Sequence, residues 1–572
     1  MNSSPLKYRR YLVLGIFFFA ASTLIFGAIR LQIDEPVDLA QRAESRSEKL
    51  QEISTDRGII FDRNHKLLAV SVPHHSLQIN PSQLLHTKEH WADIANVIDW
   101  PVIKLEKFIN AKNARKGEML QRMLSDQQIE VFRRLDINGV DLMPFQKRHY
   151  PLGRPVSQLV GFTDRNDNGQ EGIEKAFNQI LAGKTGKRKI LHDAKGNTVK
   201  TLHVIDAVTP GEDLRLSIDS GVQYAAYRAL EKAVIRENAD GGSAVVMNPH
   251  NGEILAIVSY PSFNPNESSE KKAGLYRNRA VTDAFEPGST LKPFTIAMAL
   301  QSGQFLPDTE IDTSPGYFDL GEDRVSDPVN RGLLSLSSVL TQSSNVGSAK
   351  IAMALPYGDL WDILESVGLG NKSGLTLGGE SSGKLSFHST WEPIEHATHA
   401  YGYGMQVTLV QLARAYSVFA NGGWLLPLTL TPDNSLFDKT RVLKHDVAMD
   451  VREMLAKVVS EGSGKRAKVE GYSVGGKTGT VRKFHNGAYS SERHLALFAG
   501  MVPAINPQLV AVVMIDRPKN KEQYGGQVAA PVFSEIIYES TRILGIPPDQ
   551  PGTFQPLSPK FADTNIFEGQ KN

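Results

Sequence analysis

Residues 286–300 read EPGSTLKPFTIAMAL, and within them Ser289 and Lys292 stand three positions apart. In a helix, positions i and i+3 share a face, so a hydroxyl and an amine at that spacing can meet. A serine hydroxyl is a weak nucleophile until a base takes its proton, and a lysine can be that base once neutral. Pro287-Gly288 punctuates the chain, after which Ile296, Ala297, Ala299 and Leu300 supply an apolar face. The spacing predicts a helix over 289–302. Pro293 falls near its first turn, where a missing N–H costs least. The positive end of the helix dipole would favour an alkoxide developing at Ser289. By itself the pattern S-x-x-K is weak, because a surface helix start with a solvated lysine satisfies it more often.

Two further motifs reverse that weighting. TQSSNVGSAK carries Ser343-Ser344-Asn345, and SVGGKTGTVRK carries Lys477-Thr478-Gly479-Thr480. The ordered set S-x-x-K, S-x-N, K-T-G is that of active-site serine enzymes, penicillin-binding proteins and β-lactamases among them. The surroundings agree beyond the motif letters. NRAVTDAFEPGSTLKPF, SSNVGSAKIAMAL, YGYGMQVTLVQLARAYSVFANGG and YGGQVAAPVF resemble stretches of class B penicillin-binding proteins. The nearest resemblance is to the division-specific (FtsI-type) peptidoglycan D,D-transpeptidases of Gram-negative bacteria, from about residue 8 to about residue 550.

That resemblance implies an α+β fold. Its catalytic part has the penicillin-binding/serine transpeptidase fold, an antiparallel sheet flanked by helices. A β-rich N-terminal pedestal and one transmembrane helix precede it. It also implies roles. Ser289 would attack the penultimate carbonyl of a stem peptide ending in D-Ala-D-Ala, with neutral Lys292 as general base. Ser343 would relay a proton to the departing amine, and Asn345 would hold the substrate backbone. Thr478 and Thr480 would take the terminal carboxylate, aided by Lys477, on the strand that Gly479 shares. Backbone N–H groups of Ser289 and Thr480 would form the oxyanion hole. For Lys292 to be neutral its pKa must fall well below about 10.4, and burial and the charge of Lys477 would both lower it. Simple strand alternation puts Thr478 opposite Lys477, so their access to one cleft needs twist or an edge position.

The chain has 572 residues, room for two or three domains. Lys+Arg 63 against Asp+Glu 62 offers no surface for nucleic acid. With no cysteine there is no thiol nucleophile, disulfide or thiolate metal site. No cofactor or metal is expected. Tyr11 to Ile29 (YLVLGIFFFAASTLIFGAI) is an apolar run long enough to cross a bilayer, with Lys7, Arg9 and Arg10 before it and Asp34, Glu35 and Asp38 after it. The basic flank predicts a cytoplasmic N-terminus and a periplasmic catalytic domain, anchored by a single span in the inner membrane. A cleaved signal peptide is the alternative, but no A-x-A-like site follows the run.

The expected organisation is a cytoplasmic tail (1–10), an anchor (11–30), a noncatalytic dimerisation-type pedestal (31–213), a transpeptidase domain (214–550) and a mobile tail (551–572). Residues 32–50 read as a polar helical spacer. STDRGIIFDRNHKLLAVSV reads as strand–turn–strand around Arg63-Asn64-His65. LRLSIDSGVQYAAYRALEKAVIREN reads as a short strand and a helix, and GSAVVMNPHNGEILAIVSY as a hairpin turning at Asn251-Gly252. Further helices are expected near 335–355 and 406–420, and strands near 473–482, 494–502 and 509–516.

Several patterns are decoys. Asp164, Asn166, Asn168 and Gly169 mimic a calcium loop, but position 12 is Lys175, and a Gly-rich turn fits better. His396 and His399 lie near Glu392 and Glu395 without an H-E-x-x-H pattern. Tyr401, Tyr403 and Met405 read as wall or core. Leu409 stands where the family often has proline.

The acyl-serine has two possible fates. An amine from a neighbouring stem peptide would crosslink the wall; water would make a carboxypeptidase or β-lactamase. No E-x-x-L-N segment between Asn345 and Lys477 supplies a deacylating glutamate, since Glu380, Glu392 and Glu395 stand in other contexts. Transpeptidation is therefore expected, and the resemblance implies that it serves septal wall synthesis, with β-lactams as covalent inhibitors of Ser289. An elongation-specific class B transpeptidase is the nearest alternative, and a D,D-carboxypeptidase or β-lactam sensor a further one. The resemblance implies the inner membrane, a lipid II polymerase of the FtsW type and other divisome proteins as partners.

Overall fold

The computed structural model describes residues 5–29, 48–53, 55–112, 117–192, 198–432, 439–485 and 488–550. The expected spacer lies outside the described residues except at Glu48–Leu50, which open a strand, and the tail from 551 lies wholly outside them. The chain forms two units, Met1–Arg57 with Ala182–Glu212, and Gly58–Leu181 with Asp213–Asn572.

The first unit holds helix α1 (Pro5–Ile29) and a three-stranded antiparallel sheet. Gly186–His192 is the central strand, between Glu48–Ile53 and Thr198–Asp206. Leu12, Phe17, Phe18 and Leu24 on α1 are all exposed. Among the described residues, Tyr8–Ile29 is the one helix long and apolar enough to cross a membrane. It suits a single-pass anchor, because a helix satisfies its own backbone groups in lipid.

The second unit begins with Ile60–Phe61, which pairs with the start of β1 (Leu67–Ile79) across the expected turn. Asp62 closes that turn by accepting the backbone N–H groups of Asn64 and Lys66, each at 2.8 Å. Ile60–Phe61 also pairs in parallel with Leu214–Arg215. Strand β2 (Val140–His149) lies antiparallel to β1, and a satellite core of Leu77, Trp91, Ile94, Leu105 and Phe132 fills beneath. The reading from sequence draws one boundary at 213. Packing instead gathers residues 58–181 with the catalytic part, since Ile60, Leu68, Tyr150 and Leu159 share a core with Val245 and Leu497. The chain crosses between units three times.

The catalytic part follows the expected order. Helix α2 (Ser220–Arg236) precedes the hairpin of β3 (Gly241–Met247) and β4 (Ile254–Tyr260). Helices α3 (Lys292–Ser302), α4 (Asn345–Met353), α5 (Leu409–Ala420) and α6 (His445–Ser460) come next. Strands β5 (Gly475–His485), β6 (Ala488–Val502) and β7 (Leu509–Asp516) and helix α7 (Gly525–Ile543) complete it.

The five strands form one antiparallel sheet in the order β4-β3-β7-β6-β5, which leaves β5 at an edge. Strand alternation splits the core in two. Ala244, Val246, Ala496, Phe498, Ala511 and Val513 face α2 and α7, while Val245, Met247, Leu497, Ala499, Val510 and Val512 face α3, α5 and α6. Both faces are covered, so these strands read as continuous apolar runs. Each such side chain contributes about 1.5–3 kcal/mol by leaving water, which makes the sheet a rigid platform for whatever its edge displays.

The helix expected over 335–355 is two helices. Leu336–Thr341 ends, and α4 begins at Asn345. Between them Ser343 adopts φ +61°. Ser344 caps α4 by accepting from Gly347 N at 2.8 Å. A short hairpin of Tyr317–Leu320 and Asp323–Ser326 packs alongside.

Candidate active site

The S-x-x-K segment opens with a tight 3-10 turn, Gly288–Leu291, and becomes α-helical at Lys292. In a 3-10 turn positions three apart eclipse, which puts Ser289 and Lys292 on one side. Gly288 has φ +53°, a conformation that disfavours a side chain. Pro293 sits in the first turn of α3, as expected. The turn is pinned from behind: Tyr416 Oη donates to Thr290 O at 2.6 Å, and Thr290 Oγ1 to Pro287 O at 2.7 Å. Ser289 is half-buried, and its hydroxyl has no hydrogen-bond partner among the described residues.

Lys292 is fully buried. Its Nζ donates to Ser343 O at 2.6 Å and Asn345 Oδ1 at 2.8 Å, and lies 3.2 Å from Ser343 Oγ. Burial first, and then the positive charge of Lys477, drives its pKa well below the ordinary lysine value. A neutral amine has two hydrogens to give, and the carbonyls of Ser343 and Asn345 take both. Its lone pair is then free to accept a hydroxyl proton.

Lys477, also fully buried, donates to Ser343 Oγ at 3.0 Å and to Thr478 O at 3.2 Å. Burial pushes its pKa down to about 7. The Lys477 charge acts on Lys292, whereas burial alone acts on Lys477. The pair therefore loses its first proton from Lys292 and keeps its charge on Lys477.

The left-handed backbone at Ser343 places its carbonyl and hydroxyl beside the two amines. What holds it there is Asp327, just after the short hairpin. Asp327 accepts from Ser344 Oγ at 2.5 Å, Asn345 N at 2.6 Å and Val346 N at 3.3 Å. Sequence reasoning missed Asp327, for no motif letter marks it. Asn345 Nδ2 adds a bond to Ser326 O at 3.3 Å.

Even at the sheet edge, the side chains of β5 alternate between its two faces. Lys477 turns toward Ser343, while Thr478 and Thr480 turn the other way, into a cavity of about 450 Å³ shared with Ser463, Lys465 and Tyr524. Thr478 Oγ1 and Ser463 Oγ lie 2.7 Å apart, and Thr480 Oγ1 accepts from Gly525 N at 2.9 Å. Two hydroxyls sharing one bond leave one hydrogen to donate, and the hydrogen of Thr480 is also unspent. Ser463 is a further residue that the motifs do not flag. Gly479 lets the Ser289 turn reach this strand: a Cβ there would stand 2.9 Å from Thr290 Cγ2 and 3.2 Å from Pro287 O.

The remaining candidates lie elsewhere. His396 and His399 are buried and stack on Tyr357 and Trp391, with ring nitrogens bonded to Ala352 O and Glu395 O. Asp164 ties its own turn to Asn166 N and Asn168 N. Met405 is core, and Tyr401 and Tyr403 meet edge to face. Leu409 is the first residue of α5, a position that tolerates proline and leucine alike.

Comparison with known proteins agrees with this geometry. The chain matches the penicillin binding protein transpeptidase domain over residues 242–538 and the penicillin-binding protein dimerisation domain over residues 52–216. It is 38% identical to the probable peptidoglycan D,D-transpeptidase PbpC of Pseudomonas aeruginosa, covering 96% of this chain and 97% of that one. Identity to the peptidoglycan D,D-transpeptidase FtsI of Escherichia coli is 34%, covering 96% and 94%. The transpeptidase domain of Burkholderia pseudomallei penicillin-binding protein 3 superimposes with a TM-score of 0.55 at 39% identity, covering 59% of this chain and 98% of that one. With both domains matched and relatives aligned along nearly its whole length, the chain belongs to the class B penicillin-binding proteins.

Proposed function

We propose that this protein is a peptidoglycan D,D-transpeptidase that crosslinks stem peptides through an acyl group on Ser289. The observation that carries the mechanism is the meeting of two buried lysines at Ser343, in the site that also holds the unbonded hydroxyl of Ser289. Neutral Lys292 takes the Ser289 proton as Oγ adds to the penultimate carbonyl. The N–H groups of Ser289 and Thr480 receive the oxyanion, each worth about 3 kcal/mol in comparable sites. Collapse breaks the peptide bond, and Ser343 passes a proton to the leaving D-Ala amine. Thr478 and Thr480 hold the terminal carboxylate through their hydroxyls, aided from across the strand by the charge of protonated Lys477. An amine of a second stem peptide then attacks the ester, losing its proton as Ser289 regains one. Asn345, freed from Lys292, is the group for the substrate backbone.

Three glutamates that could have activated water are engaged locally. Glu380 accepts from Ser373 N, and Glu392 and Glu395 form the capping box of the helix Pro393–His399. This supports an amine rather than water as second nucleophile. The family resemblance and the FtsI relative support septal synthesis, with α1 as the anchor, its N-terminus cytoplasmic and the remainder periplasmic. Residues 31–213 then serve as the noncatalytic module toward an FtsW-type lipid II polymerase and other divisome proteins, and 214–550 as the transpeptidase part. Intact mass after benzylpenicillin treatment tests the reading. One persistent adduct that Ser289→Ala abolishes is expected. Rapid loss of the adduct would assign a hydrolase, and no adduct on folded protein would remove Ser289 from the mechanism.

A further inference from the structure

A cleft of about 430 Å³ opens between β2, the turn at residues 163–167 and the loop from Pro265 to Lys271. None of its lining residues belongs to the Ser289 site. Lys147 and Lys271 both line it. Lys147 Nζ donates to the Met123 sulfur at 3.2 Å, and Lys271 rests 4.4 Å from the centre of the Phe162 ring. Neither lysine has a carboxylate partner among the described residues. Burial, followed by the charge of Lys147, lowers the Lys271 pKa. Two ammonium groups thus share a partly desolvated space.

The other charges leave that excess standing. Arg148 is spent on Glu174, with Nε 2.7 Å from Oε1. Arg122 donates to Arg165 O at 3.1 Å and lies over Phe145, keeping its charge at the rim. Asp164 accepts the N–H groups of its own turn, and Asp167 is the second lining carboxylate. With Arg165 also on the wall, four cations face two acids. Such a concave, low-dielectric wall concentrates anions, and two ammonium groups can close on one carboxylate through charge-assisted hydrogen bonds.

We propose that this cleft binds a stem-peptide carboxylate of uncrosslinked wall polymer, giving the enzyme a second hold on the strand whose peptide reaches Ser289. The proposal rests on the transpeptidase reading for the identity of the polymer. Pyrophosphate on a lipid-linked precursor offers similar oxyanion chemistry, so both are tested. The full-length chain in detergent is first acylated with benzylpenicillin, which fills the catalytic site. It is then titrated with a soluble disaccharide-pentapeptide, with the same compound amidated at its carboxylates, and with inorganic pyrophosphate. The free-acid muropeptide is expected to bind the acylated chain. Binding weakens on the order of tenfold for each of Lys147→Gln and Lys271→Gln, falls at raised salt, and is lost on amidation.

Equal binding by the double variant, or by the amidated compound, would overturn the proposal. So would pyrophosphate binding without muropeptide binding, which would mark a phosphate site. An unchanged benzylpenicillin adduct in the double variant shows that it folds and that Ser289 is untouched. Should the wild type form no adduct, the Ser289 reading fails by itself. The same titration on Ser289→Ala, with and without the lysine substitutions, then decides the cleft.

Discussion

Lys292 and Lys477 reach a single hydroxyl: their Nζ atoms lie 3.2 and 3.0 Å from Ser343 Oγ. Two ammonium groups could not share that position cheaply: burial lowers the pKa of both, and the charge of Lys477 lowers that of Lys292 further. The proposed mechanism needs Lys292 neutral and Lys477 charged, which sets opposite limits on pH. The benzylpenicillin acylation rate should fall as pH rises through about 7, where Lys477 loses its proton. The decline approaches tenfold per unit beyond that point. Lys477→Arg keeps its charge, so its slower reaction should lack the decline up to pH 9. A wild-type rate still climbing at pH 9 would contradict the assigned charges.

The same burial shapes stability. Lys292 has a folded pKa below its unfolded value, so between the two the unfolded chain binds more protons. Wild-type stability therefore rises with pH across that window and is complete only above the unfolded value of about 10.4. Lys292→Met lacks this dependence. The stability of the variant relative to wild type should be greatest at low pH and shrink by about a kcal/mol or more toward pH 10. Denaturant melts of both proteins at pH 6, 8 and 10 measure it, and a difference that stays constant would mean Lys292 is not desolvated.

Asp327 is a positioning residue for the Ser343–Asn345 turn. Removing its carboxylate takes the acceptor from the Ser344 hydroxyl hydrogen and from two backbone N–H groups at the start of α4. Asp327→Ala should cost about 1–3 kcal/mol of stability and slow acylation roughly tenfold or more. Asp327→Asn keeps one acceptor oxygen and should recover part of both. The apparent pKa near 7 should persist in the Asn variant while its rate drops, which separates loss of positioning from loss of proton transfer.

Thr478 and Thr480 face a cavity away from Lys292, so their substitution should alter recognition more than chemistry. Thr478→Val and Thr480→Val should each weaken reaction with benzylpenicillin about tenfold, while reaction with its methyl ester, which carries no anion, changes little. Equal losses on acid and ester would remove the hydroxyls from carboxylate recognition.

The candidate site's motif letters were legible because their spacing is local: three apart in one turn, two apart in S-x-N, consecutive in K-T-G. The sheet was legible because strands covered on both faces, such as those at 494–502 and 509–516, read as short continuous apolar runs. Asp327 was not, since its role exists only when a hairpin packs beside α4. Nor was the break at Ser343. Its flanks are helix formers, and the left-handed residue between them is imposed by tertiary hydrogen bonds. The pairing across residue 213 was hidden for a similar reason: Ile60–Phe61 and Leu214–Arg215, distant in sequence, share a ladder.

Gly479 links the two halves of the site by what it lacks. It lies between Thr478 and Thr480 on the edge strand, directly against the turn that carries Ser289. A methyl group there would press on Thr290 Cγ2 at 2.9 Å and on Pro287 O at 3.2 Å. Thr290 cannot swing aside easily, because its hydroxyl is bonded to Pro287 O and its carbonyl to Tyr416. The strand has Leu497 opposite and is fixed from behind by the sheet. Relief must come from the turn, which would retreat from Lys477 and Thr480 and open the oxyanion hole. A misplacement near 1 Å can cost about a hundredfold in rate, whereas overpacking costs about 1–3 kcal/mol. Gly479→Ala should therefore stay folded, with a melting point only modestly lowered. Its acylation by benzylpenicillin should slow at least tenfold, and a variant acylated at the wild-type rate would show that turn and strand do not depend on this close approach.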